Sequence, residues 1–224
     1  MTPSLFACAG GSQGGEIDIA NGWGSQDGAR AVLERHWDTF IQASDFAYLS
    51  SIGINTVRLP IGFWCLGGTA GGGDVLLQGT PFDNVAGVYK NCWPRIVRAI
   101  NQAAAVNIGV LVDLHGAPGS QNGRDHSGVS DGQTKLFSTP LYMDKAIAGL
   151  TFMMKTLARV SNVVGIQILN EPVYDDGLED FCAYILAPYY SVVILFTSST
   201  TRYTSHGFYE SCRPRSRKHA FISP

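Results

Sequence analysis

The sequence contains few charged residues and no marked excess of either sign. Charged side chains make up 15% of the 224 residues, and 16 basic against 18 acidic residues give a formal net charge of -2. Recognition of nucleic acid depends on a concentration of basic side chains that this composition does not provide. Hydrophobic residues account for 45% of the chain, which is enough for a buried core. We therefore expect a globular protein with an uncharged partner and no nucleic-acid partner.

Several signatures of common sites are absent as well. No CxxC pair is present, which argues against a zinc ribbon, and the five cysteines leave disulfide pairing open. The glycine cluster at 67–73 lacks the Lys-Ser/Thr of a P-loop, and Ser120 does not lie in a G-x-S-x-G elbow. No predicted strand leads into G-x-G-x-x-G. The first residues lack the basic and apolar regions of a secretory signal. These absences disfavour nucleotide, serine-hydrolase and zinc-ribbon sites.

A helical segment followed by an apolar strand occurs three times. The predicted helices span 29–51, 93–106 and 140–160, and the strands span 54–61, 108–116 and 162–171. Thr139 and Pro140 are predicted at the N-cap and first turn of the third helix. Such alternation predicts parallel strands buried on both faces. The fold class is therefore α/β of the (β/α)8 TIM-barrel type, and because a full barrel takes about 250 residues, roughly half a barrel is expected.

The last third of the sequence departs from this alternation. Residues 181–201 carry no charge and precede a basic stretch, a pattern whose length suits a transmembrane helix. Pro188 and the tyrosines within the run argue against a membrane anchor. We predict a barrel domain over residues 1–182 and, over residues 183–224, a tail that does not continue the fold.

Polar residues lie in or after each predicted strand. Arg58 interrupts the first, His115 ends the second, and Asn170 and Glu171 follow the third. Because TIM-barrel active sites lie at the carboxyl ends of the strands, these residues are expected to converge. Burial at a strand end raises the pKa of a carboxyl group, which suits Glu171 as a general acid. The alternative is a glutamate that caps a helix or pairs with an arginine.

The remaining site residues are predicted from their contacts. Arg58 needs a carboxylate partner, either for catalysis or in a structural ion pair. Asp113 lies two residues before His115 and, by strand alternation, points the same way. Metal binding by these two residues with Asp125 and His126 is a further possibility, but the spacing matches no standard zinc site. No metal or cofactor is therefore predicted.

Three segments together resemble a known family. The sequences GINTVRLPIGFW, LVDLHGAPGSQNGRDHSG and VVGIQILNEP occur in the order found in glycoside hydrolase family 5, in its fungal exo-β-1,3-glucanase (glucan 1,3-β-glucosidase) branch. The likeness covers about residues 2–182. It implies a TIM barrel, here strands 2 to 4 with their helices, that hydrolyses β-1,3-glucan with retention and without a metal. It also implies an extracellular or cell-wall location and a β-glucan as substrate.

The resemblance assigns a role to each candidate residue. Glu171 would be the acid/base, Asn170 would bind the sugar 2-hydroxyl, and Arg58 would orient the nucleophile. His115 would line the -1 subsite, and Asp125 would contact the non-reducing glucose.

The second carboxylate of such a mechanism has no match in this chain. Retaining glycosidases need a nucleophile about 5 to 5.5 Å from the acid/base. In the family it is a glutamate on a later strand, preceded by glycine and followed by an aromatic residue. Glu210, in the sequence GFYESC, fits neither the spacing nor the context. We therefore expect a chain without turnover, and the alternative function is a non-catalytic glucan-binding fragment.

Overall fold

The computed structural model of the protein describes residue 5 and residues 7–66 and 74–185. The chain divides into two compact units, Met1–Val173 and Tyr174–Pro224. The first unit contains the sheet and every residue of the predicted site. In the second unit, residues 176–185 are helical. The glycine cluster at 67–73 and most of the predicted tail lie outside the described residues, so the boundary at 182 stays a prediction.

The three predicted strands form one parallel sheet. They are β1 (Thr56–Gly62), β2 (Gly109–Gly116) and β3 (Val163–Gln167), in the order β1-β2-β3. Arg58 of β1 lies beside Leu111 of β2, and Asp113 lies beside Gln167 of β3. This register confirms the predicted parallel pairing. It also places Asp113 between the two flanking strands.

Among its described residues, the first unit contains six α-helices: α1 (Glu16–Asn21), α2 (Gln26–Thr39), α3 (Ala43–Ser51), α4 (Ala86–Tyr89), α5 (Cys92–Ala104) and α6 (Pro140–Leu157). The prediction of one helix over 29–51 was wrong, because the segment divides at 40–42. The Ser25 hydroxyl accepts from the Gly28 N–H at the start of α2, and the Asp45 carboxylate accepts from the Gln42 N–H before α3. Each helix thus has its own polar start signal.

The helices that follow β1 and β2 cover the sheet with regularly spaced apolar residues. On α5, Trp93, Ile96, Ile100 and Ala103 are buried at helical spacing. On α6 the buried residues include Ala146, Leu150, Met153 and Leu157. Pro140 occupies the first turn of α6 as predicted, whereas Thr139 stands at the N-cap without a side-chain capping bond. Within the described residues, no helix is both long and apolar enough to cross a membrane.

Trp64 packs where the ends of β1 and β2 meet the following loops. Its ring stacks on Phe82 with centroids 4.5 Å apart. A Cβ atom on Gly62 would lie 2.1 Å from the Trp64 ring, and one on Gly116 would lie 2.6 Å from it. Both strands therefore need glycine beside this ring. A disulfide between Cys65 and Cys92 ties the adjacent short helix Phe63–Leu66 to the start of α5.

Candidate active site

Arg58 is held in place by three side chains from the neighbouring strands. Its Nη2 lies 2.7 Å from Asp113 Oδ2 and donates to Asn170 Oδ1 at 2.7 Å, while Nε donates to Gln167 Oε1 at 2.9 Å. The Arg58 side chain is 38% exposed and Asp113 is fully buried. The carboxylate that the sequence required for Arg58 is thus supplied by β2. Arg58 and Asn170 meet as predicted.

Asp113 also fixes the ring of His115. The His115 Nδ1 lies 2.7 Å from the same Asp113 oxygen that binds Arg58. An ionised carboxylate only accepts, so Nδ1 carries a proton and Nε2 of the neutral ring is an acceptor. The other oxygen, Asp113 Oδ1, is buried and has no hydrogen-bond partner within the described part of the chain. One carboxylate therefore connects the arginine and the histidine of the candidate site.

Gln121 joins the ends of β2 and β3 through its amide group. Its Nε2 donates to the carbonyls of His115 at 2.7 Å and Asn170 at 2.9 Å, and its Oε1 accepts from the Ala117 N–H at 3.1 Å. The Asn170 N–H also donates to the Leu114 carbonyl at 3.0 Å. Asn170 is 5% exposed. The chain after β3 is therefore fixed beside the end of β2 up to the candidate acid.

Glu171 differs from the expected buried carboxylate. Its side chain is 65% exposed, so the prediction that the carboxyl group is desolvated was wrong. The physical reason is the backbone, which turns through a left-handed conformation at Glu171, with φ of 43°. The side chain leaves the apolar strand end and faces His126, whose Nε2 lies 3.5 Å from Glu171 Oε2. Among the described residues, the ion partner of Glu171 is therefore a histidine and not an arginine.

The loop after β2 brings His126 to this position. A short helix, Asp125–Ser127, carries the ring, and His126 Nδ1 lies 3.5 Å from Asp125 Oδ1. Asn122 Nδ2 lies 2.8 Å from His126 Nε2 and donates to the Glu171 carbonyl at 3.0 Å. The rings of His115 and His126 are 5.5 Å apart between centroids. Asp125 itself is 78% exposed.

A cavity of about 910 Å³ lies beside these residues. Its wall includes Arg58, His115, Asp125 and His126. Glu16 also lines it, and burial raises the pKa of the Glu16 carboxyl group to about 7, an effect that a hydrogen bond from Tyr89 partly opposes. The cavity is large enough for a sugar unit. Asn170 and Glu171 are not among its wall residues in this conformation.

The structure brings together all five residues that the sequence nominated. Arg58, His115 and Asn170 are connected through Asp113 and Gln121, while Asp125 and Glu171 approach His126 from two sides. Among the residues that the structure describes, no group of three or more His, Cys, Asp or Glu side chains is arranged to hold a metal ion. Sequence reasoning missed Gln121 and Asn122. Their only sequence signal was the polar loop after His115.

The fold is that of part of a TIM barrel. The chain is similar to the crystal structure of rutinosidase from Aspergillus niger, with a TM-score of 0.65 and 19% identity over 83% of this chain and 53% of that one. A second solved structure, named AoRut, gives a TM-score of 0.65 at 18% identity. The three parallel strands with their helices are therefore part of a (β/α)8 barrel, as predicted.

Sequence relatives identify the branch. The chain is 37% identical over 148 residues to glucan 1,3-beta-glucosidase 3 of Schizosaccharomyces pombe, which is 66% of this chain and 31% of the relative. It is 33% identical over 214 residues to the probable glucan 1,3-beta-glucosidase A of Aspergillus niger, which is 93% of this chain and 46% of the relative. No family model matches the chain.

These similarities confirm the resemblance. Over the matched residues, the chain is a relative of the fungal glucan 1,3-β-glucosidases, the exo-β-1,3-glucanase branch of glycoside hydrolase family 5. It spans between about a third and a half of the length of these curated relatives, with coverages of 31% and 46%.

Proposed function

We propose that this chain binds β-1,3-glucan at the carboxyl ends of its strands and contains the acid/base half of a retaining glycosidase site. The observation that carries the proposal is the connection of Asn170 to Arg58 at 2.7 Å, beside Glu171 and the cavity. The names of the relatives supply the substrate class. An extracellular or cell-wall location, where such a glucan is found, belongs to the same proposal.

In this proposal each polar group acts on a different part of the sugar. If a nucleophilic carboxylate were supplied, Glu171 would donate its proton to the glycosidic oxygen as that carboxylate attacks the sugar carbon, and it would later take a proton from the water that releases the sugar. Asn170 binds the 2-hydroxyl, His115 Nε2 accepts a hydrogen bond from a sugar hydroxyl, and Asp125 binds the outer glucose. The Asp113 carboxylate pairs with Arg58, whose remaining donors would orient a nucleophilic carboxylate.

Binding without turnover is the function we propose for this exact chain. The glutamates are Glu16, Glu34, Glu171, Glu179 and Glu210, and none stands between a glycine and an aromatic residue. A retaining mechanism needs the second carboxylate about 5 to 5.5 Å from the first. With Glu171 alone, protonation of the leaving group has no matching attack at the sugar carbon. The alternative is a non-catalytic glucan-binding fragment in which Glu171 has no acid/base role. It shares the glucan-binding half of this proposal.

Calorimetry and a glucose assay on the purified 224-residue chain test the two halves separately. Laminarin oligosaccharides are expected to bind, and glucose release is expected to equal that of a Glu171→Gln control. Asp125→Ala should weaken binding by roughly ten- to a hundredfold, because loss of a charged hydrogen bond costs roughly 1.5 to 3 kcal/mol. Asp27→Ala, which removes an equally exposed carboxylate far along the chain, should leave the affinity unchanged.

Two results would contradict the proposal. Glucose release that depends on Glu171 would show that a nucleophile is present after all. Absence of binding at millimolar oligosaccharide, in a chain whose circular dichroism shows a folded protein, would remove the glucan-binding function itself.

A further inference from the structure

The orientation of the Asn122 amide is determined by two main-chain groups. Its Oδ1 accepts from the Arg124 N–H at 3.0 Å, and its Nδ2 donates to the Glu171 carbonyl at 3.0 Å. If the amide were rotated by half a turn, the oxygen would face a carbonyl and the NH₂ group would face an N–H. Main-chain groups cannot exchange donor and acceptor roles. The NH₂ group therefore lies on the side of Glu171.

This orientation determines which nitrogen of His126 carries the proton. The Asn122 Nδ2 has two hydrogens, and the one not used by the Glu171 carbonyl is available to His126 Nε2 at 2.8 Å. A nitrogen that accepts this hydrogen has no proton of its own, so the neutral ring carries its proton on Nδ1. The opposite side of the ring agrees, because Nδ1 lies 3.5 Å from the acceptor Asp125 Oδ1.

We propose that Asn122 is a positioning residue that holds His126 in the tautomer whose Nε2, the nitrogen beside Glu171, is unprotonated. The single lone pair of Nε2 accepts the Asn122 hydrogen, so the neutral ring has no proton to donate to Glu171 Oε2, 3.5 Å away. A general acid donates its own proton to the leaving group, so a neighbouring ring without an N–H directed at the carboxyl group suits the role proposed for Glu171.

The inference rests on the proposed role of Glu171 as the acid, but its test does not depend on turnover or on glucan. Long-range ¹H–¹⁵N correlation spectra of histidine-labelled protein distinguish protonated from unprotonated ring nitrogens. Spectra recorded at a series of pH values up to about 8.5 identify the neutral form of each ring from its nitrogen shifts. His126 is expected to show Nδ1 protonated and Nε2 unprotonated. A His126→Gln variant identifies its resonances.

The deciding variant is Asn122→Asp. The carboxylate keeps an acceptor for the Arg124 N–H but presents a second acceptor to His126, so the proton should move to Nε2 and the two nitrogen shifts should exchange. His115, which is held by Asp113, should not change and serves as an internal reference. Asn21→Asp is the matched control, because it makes the same charge change at an exposed residue of α1. Glu171→Gln should leave the tautomer unchanged.

Either of two results overturns the proposal. One is a proton on His126 Nε2 in the unaltered protein. The other is an unchanged tautomer in folded Asn122→Asp protein. If that variant does not fold, the wild-type spectrum and Asn122→Ala decide, because loss of the donor should give a mixture of both tautomers. Failure of glucan binding would leave these spectra as they are, so the two proposals can fail separately.

Discussion

Asp113 is the residue on which the two cationic or potentially cationic groups of the site depend. It is fully buried, and its Oδ2 lies 2.7 Å from both Arg58 Nη2 and His115 Nδ1. A buried carboxylate is stable only when it is paired and hydrogen-bonded. Its position between β1 and β3 makes Asp113 part of the structure and of the site at once.

Asp113→Asn is predicted to destabilise the fold by about 1 to 3 kcal/mol. The variant retains the shape but loses the charge that pairs Arg58, and it buries an amide hydrogen without a partner. The loss stays below that of a fully buried pair because Arg58 is 38% exposed to water. Urea unfolding measures the difference. Asp131→Asn, which breaks an exposed pair with Lys135, should cost less than about 1 kcal/mol. Equal losses at both positions would contradict the argument from burial.

The sequence predicts the side-chain positions that strand alternation determines, but it does not predict those that depend on the path of a loop. The side-chain contact between Asp113 and His115 follows from their spacing of two within β2. The exposure of Glu171 does not, because it depends on a left-handed backbone conformation that nothing in Asn-Glu-Pro requires. The role of Asn122 depends on the path of an irregular loop. Periodicity contains no information about such a path.

At the scale of elements, the disulfide is the feature that sequence could not assign. Cys65 and Cys92 are 27 residues apart, and they join the end of the β1 region to the first turn of α5. Five cysteines allow several pairings, and only the packing of Trp64 and α5 brings these two together. The helix boundaries near 40–42 were missed for a related reason. Apolar residues continue through 40–42, so hydrophobic periodicity does not show that the helix ends there. The polar residues that start α2 and α3 are single local contacts.

Replacing Cys65 and Cys92 together by alanine is predicted to lower the free energy of unfolding by roughly 2 to 4 kcal/mol. The crosslink restricts the unfolded chain over a loop of this length, and its removal restores that freedom. Denaturant unfolding under non-reducing conditions measures the effect. Cys8→Ala is the matched control, since Cys8 is an exposed free cysteine and its removal should change stability by less than about 0.5 kcal/mol. A similar loss in the control would contradict the prediction.

At the scale of the whole molecule, β1 is an edge strand within the described sheet. The Gly109 N–H donates to the Asn55 carbonyl, so every second residue of β1 directs its backbone hydrogen-bonding groups toward β2. The backbone groups of the residues between them, Thr56, Arg58 and Pro60, face the free edge. These three residues are exposed. Phe40 and Ile41, at the end of α2, are 48% and 44% exposed nearby in the chain. Unpaired edges and apolar surface of this kind promote association.

We therefore expect association that increases with protein concentration, measured by size-exclusion chromatography with light scattering. Thr56→Lys places a charge at the start of the free edge and should reduce the associated fraction several-fold, because a buried lysine opposes strand pairing. Ser51→Lys adds the same charge on α3 and should have little effect. A sharp monomeric peak for the unaltered protein at all concentrations would contradict the expectation.

The amide of Gln121 has a consequence for motion in the site. One side chain binds main-chain groups of His115, Ala117 and Asn170, so it connects two strand ends beyond the last backbone bonds of the sheet. Displacement of either strand end would then lengthen hydrogen bonds of the same Gln121 amide. We therefore expect the fluctuations of His115 and Asn170 to be correlated, and the distance between them to vary less than the position of the surrounding loops. Under the proposed function, a glucose unit that contacts both residues would meet a template of nearly constant width.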